Sequence, residues 1–183
     1  MPRNLPTGPA AGAVAVRPGI GTEAVSRGAT QEQIRARLGP PGKVVDHLPL
    51  SYLFAYPEQG LEIDFVVPSG QAEVIFFYGH NWDGHGHAAV QTAEGIGFGS
   101  SREEVRSILG EPAGSDEAYT LDRRFHTAWM YYAAGIQFHF DQAGRMVIMA
   151  VCAPARGAVR LGGAAAVAQG RHHPAVHGGR QGR

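Results

Sequence analysis

One cysteine, Cys152, stands in 183 residues, so an intramolecular disulfide and any zinc or iron–sulfur site built from several thiolates are excluded. No apolar run approaches the roughly 20 residues of a membrane-crossing helix, and no transmembrane segment is expected. Net charge is missing too, since 16 lysines and arginines balance 16 aspartates and glutamates. Acids are absent from both ends. Residues 1–19 hold Arg3, Arg17 and four prolines, and the stretch after Ala153 holds five arginines, seven glycines and three histidines without one aromatic residue. Such composition buries too little apolar surface to offset the entropy of ordering it, so disorder is expected over 1–19 and over the basic Gly/Ala/Arg tail, 154–183. No secretory leader is legible, because Pro2, Pro6 and Pro9 break up the first residues. Residues 20–153 contain 9 basic and all 16 acidic residues, a net charge of −7. The neutral whole is therefore an acidic middle between basic ends, and the middle is not expected to bind nucleic acid.

The middle repeats itself. RGATQEQIRARLGPP (27–41) lies over FGSSREEVRSILGEP (98–112), and YLFAYPEQGLEIDF (52–65) over TAWMYYAAGIQFHF (127–140). Thr30 with Gln33, and Ser101 with Glu104, have the spacing of a capping box. Ile34 and Leu38, like Val105, Ile108 and Leu109, share one helical face. Gly39 and Gly110 suit the left-handed residue that ends each short helix, and Pro41 and Pro112 prevent its continuation. The period then falls to two. Leu61, Ile63 and Phe65 alternate with Glu62 and Asp64, and Ile136, Phe138 and Phe140 with Gln137 and His139.

The hairpin registers follow from the turns. Pairing Tyr56 with Leu61 sets Phe54 against Ile63 and Tyr52 against Phe65, while pairing Tyr131 with Ile136 sets Trp129 against Phe138. This puts Tyr52, Phe54, Tyr56, Trp129 and Tyr131 among the inner rows under the helices. Two further strands, 73–78 and 145–151, are apolar on both faces. The same counting turns Val147 and Met149 inward. It leaves Leu53, Ile75, Phe77, Met130, His139, Met146 and Ile148 on an outer face, the candidate partner-binding surface. The expected fold is α+β: two tandem copies of a short-helix plus antiparallel-sheet unit. The expected division is 20–79 for the first copy, 80–94 for a Gly/His-rich linker and 95–153 for the second.

A capped helix ending in Leu-Gly-x-Pro, then an aromatic strand, a glycine turn and Phe-x-Phe, resembles the BamE (SmpA/OmlA) outer-membrane assembly lipoproteins and the tandem β-lactamase-inhibitor protein family. The motif from Gly95 to Pro112 carries the resemblance most strongly. It implies helices layered on antiparallel sheets and a non-catalytic, extracytoplasmic binding role at the periplasm or cell envelope. The lipid-site cysteine of the first group and the disulfides of the second have no counterpart here, and the cytoplasm is the alternative compartment.

Other chemistry is sparse. His80, Asp83, His85 and His87 crowd the linker GHNWDGHGH and are metal-ligand types, the basis of an alternative reading as a metal-binding protein or metal-dependent enzyme. Their spacing matches no standard motif, and a glycine-rich connecting loop is the simpler reading. No catalytic residue and no cofactor are expected. Cys152 ends an apolar strand, and Ser100, Ser101 and Ser107 are accounted for by capping and helix surface. The expected function is binding to a protein partner through the outer face, with a homodimer as the other occupant of that face.

Overall fold

The computed structural model describes residues 12–47, 51–119 and 126–155. Residues 1–11 and 156–183, where most of the two basic ends lie, and residues 120–125 of the second copy's longer loop fall outside the described residues.

Chain order is β1 (Val14–Val16), α1 (Gln31–Leu38), β2 (Lys43–His47), β3 (Ser51–Tyr56), β4 (Leu61–Val66), β5 (Gln71–Tyr78), β6 (Val90–Thr92), α2 (Arg102–Leu109), β7 (Gly114–Tyr119), β8 (His126–Tyr132), β9 (Ile136–Phe140) and β10 (Met146–Val151). Eight strands form one antiparallel sheet in the order β2-β3-β4-β5-β10-β9-β8-β7. A second sheet is the parallel pair β1-β6. The α+β reading of two helix-on-sheet units is thereby corrected. The molecule is predominantly antiparallel sheet, with only two helices of eight residues each among the described residues. The reason lies in β5 and β10. Each is apolar on both faces, and an open edge with that composition would leave a row of backbone groups unsatisfied. They pair with one another instead, Ile75 with Val151 and Tyr78 with Ile148, and fuse the two halves into a continuous sheet.

Both capping boxes form. Thr30 accepts from the Gln33 amide at 3.3 Å and returns its own N–H to the Gln33 side chain at 2.9 Å. Ser101 and Glu104 do the same at 3.2 and 2.9 Å. Gly39 and Gly110 have positive φ, +81° and +78°, but extended ψ, so they are not in the left-handed helical region expected of them. In each half a tyrosine ties the helix end to the sheet. Tyr56 donates to the Gly39 carbonyl, and Tyr132 to the Gly110 carbonyl, both at 3.1 Å. Ile34 and Val105 carry the helices into the main core.

The first hairpin has the register its sequence implies, with Tyr56 opposite Leu61, Phe54 opposite Ile63 and Tyr52 opposite Phe65. The second does not. Tyr132, not Tyr131, faces Ile136, and Met130, not Trp129, faces Phe138. The first turn has four residues, 57–60, and the second three, 133–135, so a count carried from one to the other slips by one. A one-residue slip moves every side chain to the opposite face. A second device shifts β5 and β10. Register breaks between Asp64 and Phe65 on β4, and between Met146 and Ile148 on β10, leave Glu73 and Val147 as extra residues.

One continuous inward row then reads Met130–Phe138–Met149–Phe77–Leu61–Tyr56, and the next reads Tyr132–Ile136–Val151–Ile75–Ile63–Phe54. All twelve residues are buried in a single core cluster, together with the buried helix residues. Residues 14–19, expected within a disordered segment, instead include β1, whose Val16 is buried. Its pairing partner β6 precedes Gly95-Ile96-Gly97, as β1 precedes Gly19-Ile20-Gly21.

Candidate outward-face binding surface

The sheet's other face carries a different set of side chains. One row crosses all eight strands as Gly114–Tyr131–Gln137–Ala150–Phe76–Glu62–Ala55–Lys43. Beside it runs Asp116–Trp129–His139–Ile148–Tyr78. Leu53, Asp64 and Val74 lie on the far side of the central row. Phe76 and Tyr131 pack with Val74, Ala150 and Cys152 in a small cluster separate from the main core. Both helices contribute to the main core and neither to this cluster.

Of the seven residues expected on the outer face, Leu53, His139 and Ile148 are there, each part-exposed. Ile75, Phe77, Met130 and Met146 are corrected to the inward face, where they are 0–4% exposed. The bulge at Val147 turns Met146 inward, and the three-residue turn does the same for Met130. Ile75 and Phe77 are inward because Ile63 and Leu61 face them directly. Trp129 and Tyr131, expected in the core, are corrected to the outward face. With Phe76 and Tyr78 they are the aromatic residues that sequence counting misses; the right turn length recovers Trp129 and Tyr131, whereas Phe76 and Tyr78 follow from the bulge at Glu73.

The histidine-rich loop divides. His80 Nε2 lies 2.9 Å from the Phe98 carbonyl, and the His80 amide donates to His87 Nδ1. The His85 ring points elsewhere, stacking on Tyr78 with centroids 4.0 Å apart and planes 11° apart. Its Nε2 is 3.1 Å from Glu62 Oε1, and its Nδ1 is 3.2 Å from the Asp83 carbonyl. Tyr78 donates to Glu62 Oε2 at 2.7 Å. Among the described residues no three of His, Cys, Asp and Glu are grouped to hold a metal ion. His80, Asp83, His85 and His87 therefore do not converge on one point.

Burial sets the protonation of the face. It pushes the Tyr78 phenol well above its usual value, reinforced by the adjacent Glu62 carboxylate. It lowers His139 to about 4, so the imidazole there is neutral near pH 7. It also pushes the Cys152 thiol up to about 11, which keeps it protonated and inert. Two clefts, of about 290 Å³ beside Arg27, Gln33 and Arg37 and about 390 Å³ beside Glu94, Glu111 and Tyr132, lie away from the outward face. No helix among the described residues is long and apolar enough to cross a membrane.

No family model, curated protein or solved structure matches the chain.

Proposed function

We propose that the protein is a non-catalytic protein-binding module that captures a basic protein partner on the outward face of its eight-stranded sheet. One observation carries this reading. Superposing the halves by their strand pairings sets Met130 with Phe54, Phe138 with Ile63, Met149 with Ile75 and Tyr132 with Tyr56, apolar or aromatic throughout. The same superposition on the outward side sets Trp129 with Leu53, Tyr131 with Ala55, Gln137 with Glu62, His139 with Asp64 and Ala150 with Phe76. The core side keeps buried apolar or aromatic residues from half to half, whereas the other side exchanges size or polarity at these five positions and keeps a β-branched aliphatic where Ile148 lies over Val74. What the outward side carries is aromatic area open to contact, since Phe76, Trp129 and Tyr131 are all part-exposed there.

Tryptophan, tyrosine and phenylalanine on a sheet face supply large contact area at small entropic cost, as binding hot spots do. The charge of −7 over residues 20–153 would steer a basic partner toward the molecule. Glu62 is held by Tyr78 and His85, and the Cys152 thiol is inert. The resemblance to the BamE and β-lactamase-inhibitor families extends the proposal to the cell envelope.

Cross-linking in envelope extract tests it. Trp129→Asp and Ile148→Asp should each lose a partner that the wild-type chain captures, with cooperative unfolding retained. Equal capture by both variants would sink the reading. Light scattering at several concentrations separates a homodimer on the same face, whose mass would fall to that of a monomer in the same two variants.

A further inference from the structure

We propose that Tyr78 and Glu62 form the seat for a cationic side chain of the partner, an arginine or a lysine, and that His85 occupies this seat in the unbound protein. The inference rests on the outward face being the binding surface and assigns the chemistry of one subsite in it.

His85 lies flat on the Tyr78 ring at 4.0 Å and brings Nε2 to 3.1 Å from Glu62 Oε1. A planar nitrogen cation over an aromatic face, with its N–H groups turned to a carboxylate, is the arrangement by which guanidinium groups are held. The present occupant offers the carboxylate a single ring nitrogen, Nε2, because Nδ1 is turned to the Asp83 carbonyl. A guanidinium presents several N–H groups in a fork that matches a carboxylate, and can engage it with two where the imidazole has one.

The occupant is delivered by an unusual turn. His80, Asn81 and Asp83, none of them glycine, all have positive φ of 57°, 55° and 49°. Histidine, asparagine and aspartate tolerate this region better than other side chains, and three of them there within four positions mark a segment held by its surroundings. The loop is held against the first hairpin turn. The Gly86 amide donates to the Pro57 carbonyl at 2.7 Å, and an added Cβ at Gly60 would meet the Gly86 oxygen at 2.6 Å. At the equivalent places in the second half stand Gln137 and Cys152, which lack both the carboxylate and the ring, so the chain has one seat of this kind among the described residues.

The groups facing His85 are Glu62 on β4, Tyr78 on β5 and Asp83 in its own turn, and Glu58 meets this loop through its backbone carbonyl at Gly86. Burial alone would lower the His85 pKa, but the Glu62 carboxylate and then Asp83 outweigh it and hold the pKa above 6.5. His85 is therefore a cation on the acid side of its titration and competes hardest there. As pH rises through that titration it becomes neutral, and the seat opens to an outside cation.

The test is nuclear magnetic resonance on the full chain, titrated with N-acetyl-arginine amide at about pH 6 and about pH 8.5, either side of the histidine range. Saturable shifts of Glu62, Tyr78 and His85 signals are expected at the higher pH, with binding about fivefold weaker at the lower. His85→Ala should tighten binding and remove its pH dependence, and His85→Gln serves if alanine loosens the loop. Glu62→Gln should abolish binding without changing the far-ultraviolet spectrum. N-acetyl-lysine amide shows whether the seat prefers the flat cation. The proposal is overturned by an absence of saturable shifts in both the wild type and the His85 variants, or by undiminished binding in Glu62→Gln. It also falls if the probe is ignored while Trp129→Asp still loses the captured partner, a result that leaves the binding role standing.

Discussion

The hairpins β3–β4 and β8–β9 occupy equivalent places in the sheet and differ by one residue in their turns. Pro57–Glu58–Gln59–Gly60 makes a single 3-10 turn with Gly60 left-handed, whereas Ala133–Ala134–Gly135 closes the second hairpin directly. Both end on a glycine pressed against backbone. An added Cβ would fall 2.6 Å from the Gly86 oxygen at Gly60 and 2.5 Å from the Cys152 oxygen at Gly135. What presses on them differs: the histidine loop in the first half, and Gly19 with Pro154 in the second. Two halves can thus share core, caps and bulges while their turns and coverings diverge, and the divergence decides which aromatic residues face solvent.

The widest separation should lie between the faces of the central strands. Phe77→Asp puts a carboxylate into the shared core and should abolish cooperative folding, a loss above about 4 kcal/mol. Ile148→Asp, on a neighbouring strand but facing outward, should cost less than about 1 kcal/mol. Urea unfolding followed by circular dichroism reads both, and similar losses would mean that the faces are wrongly divided. Next come the core counterparts. Phe138→Ala should cost about 4 kcal/mol and Ile63→Ala about 3 kcal/mol, both in one cooperative transition. Two transitions in either variant would show that the halves unfold separately.

The histidines of the two halves should respond to pH with opposite sign. The native pKa of His139 lies near 4, below its unfolded value of about 6.5. Between these values the unfolded chain takes up a proton that the native state refuses, so stability falls as pH drops from about 6.5 toward 4, by about 2 kcal/mol. His139→Gln should remove that slope, read from urea midpoints on either side of the window. The native pKa of His85 is raised, so its contribution is complete below about 6.5 and fades as pH climbs through the native value. The smallest difference is expected at the caps. Thr30→Ala and Ser101→Ala should each cost about 1 kcal/mol and agree within a few tenths. A large disparity would show that one helix is held mainly by its cap and the other by packing.

Some of this was legible in the residues and some was not. Thr30-x-x-Gln33 and Ser101-x-x-Glu104 announce their helix starts, because a capping box is a local bargain between side chain and backbone. The first hairpin's register was legible because its turn carries both proline and glycine. In the second, the alanine-rich turn gives no mark of its length, and the slip of one residue misplaced Met130, Trp129 and Tyr131. The bulges at Glu73 and Val147 left no sequence signal, since neither residue type is peculiar to bulges. The pairing of β5 with β10 is a long-range event that local periodicity does not encode. β1 does carry a sequence signal, the recurrence of Gly-Ile-Gly after Val14–Val16 and after Val90–Thr92. Glu62 stands at a polar position of an alternating strand, and only the fold brings His85 and Tyr78 to it.

The seam between β5 and β10 joins residues about 70 to 76 positions apart in sequence. Such distant pairing is slow to form, because chain entropy is lost before the contacts repay it. Until the seam closes, each half carries a naked strand that is apolar on both sides, the composition most prone to sticking edge to edge. A chain interrupted before residue 146 would hold β5 in that state, and the strand nearest in chemistry to its missing neighbour is the β5 of another copy. Synthesis of this protein therefore passes through an interval of exposure that ends only when β10 is made, and aggregation during expression should depend on how quickly that strand arrives.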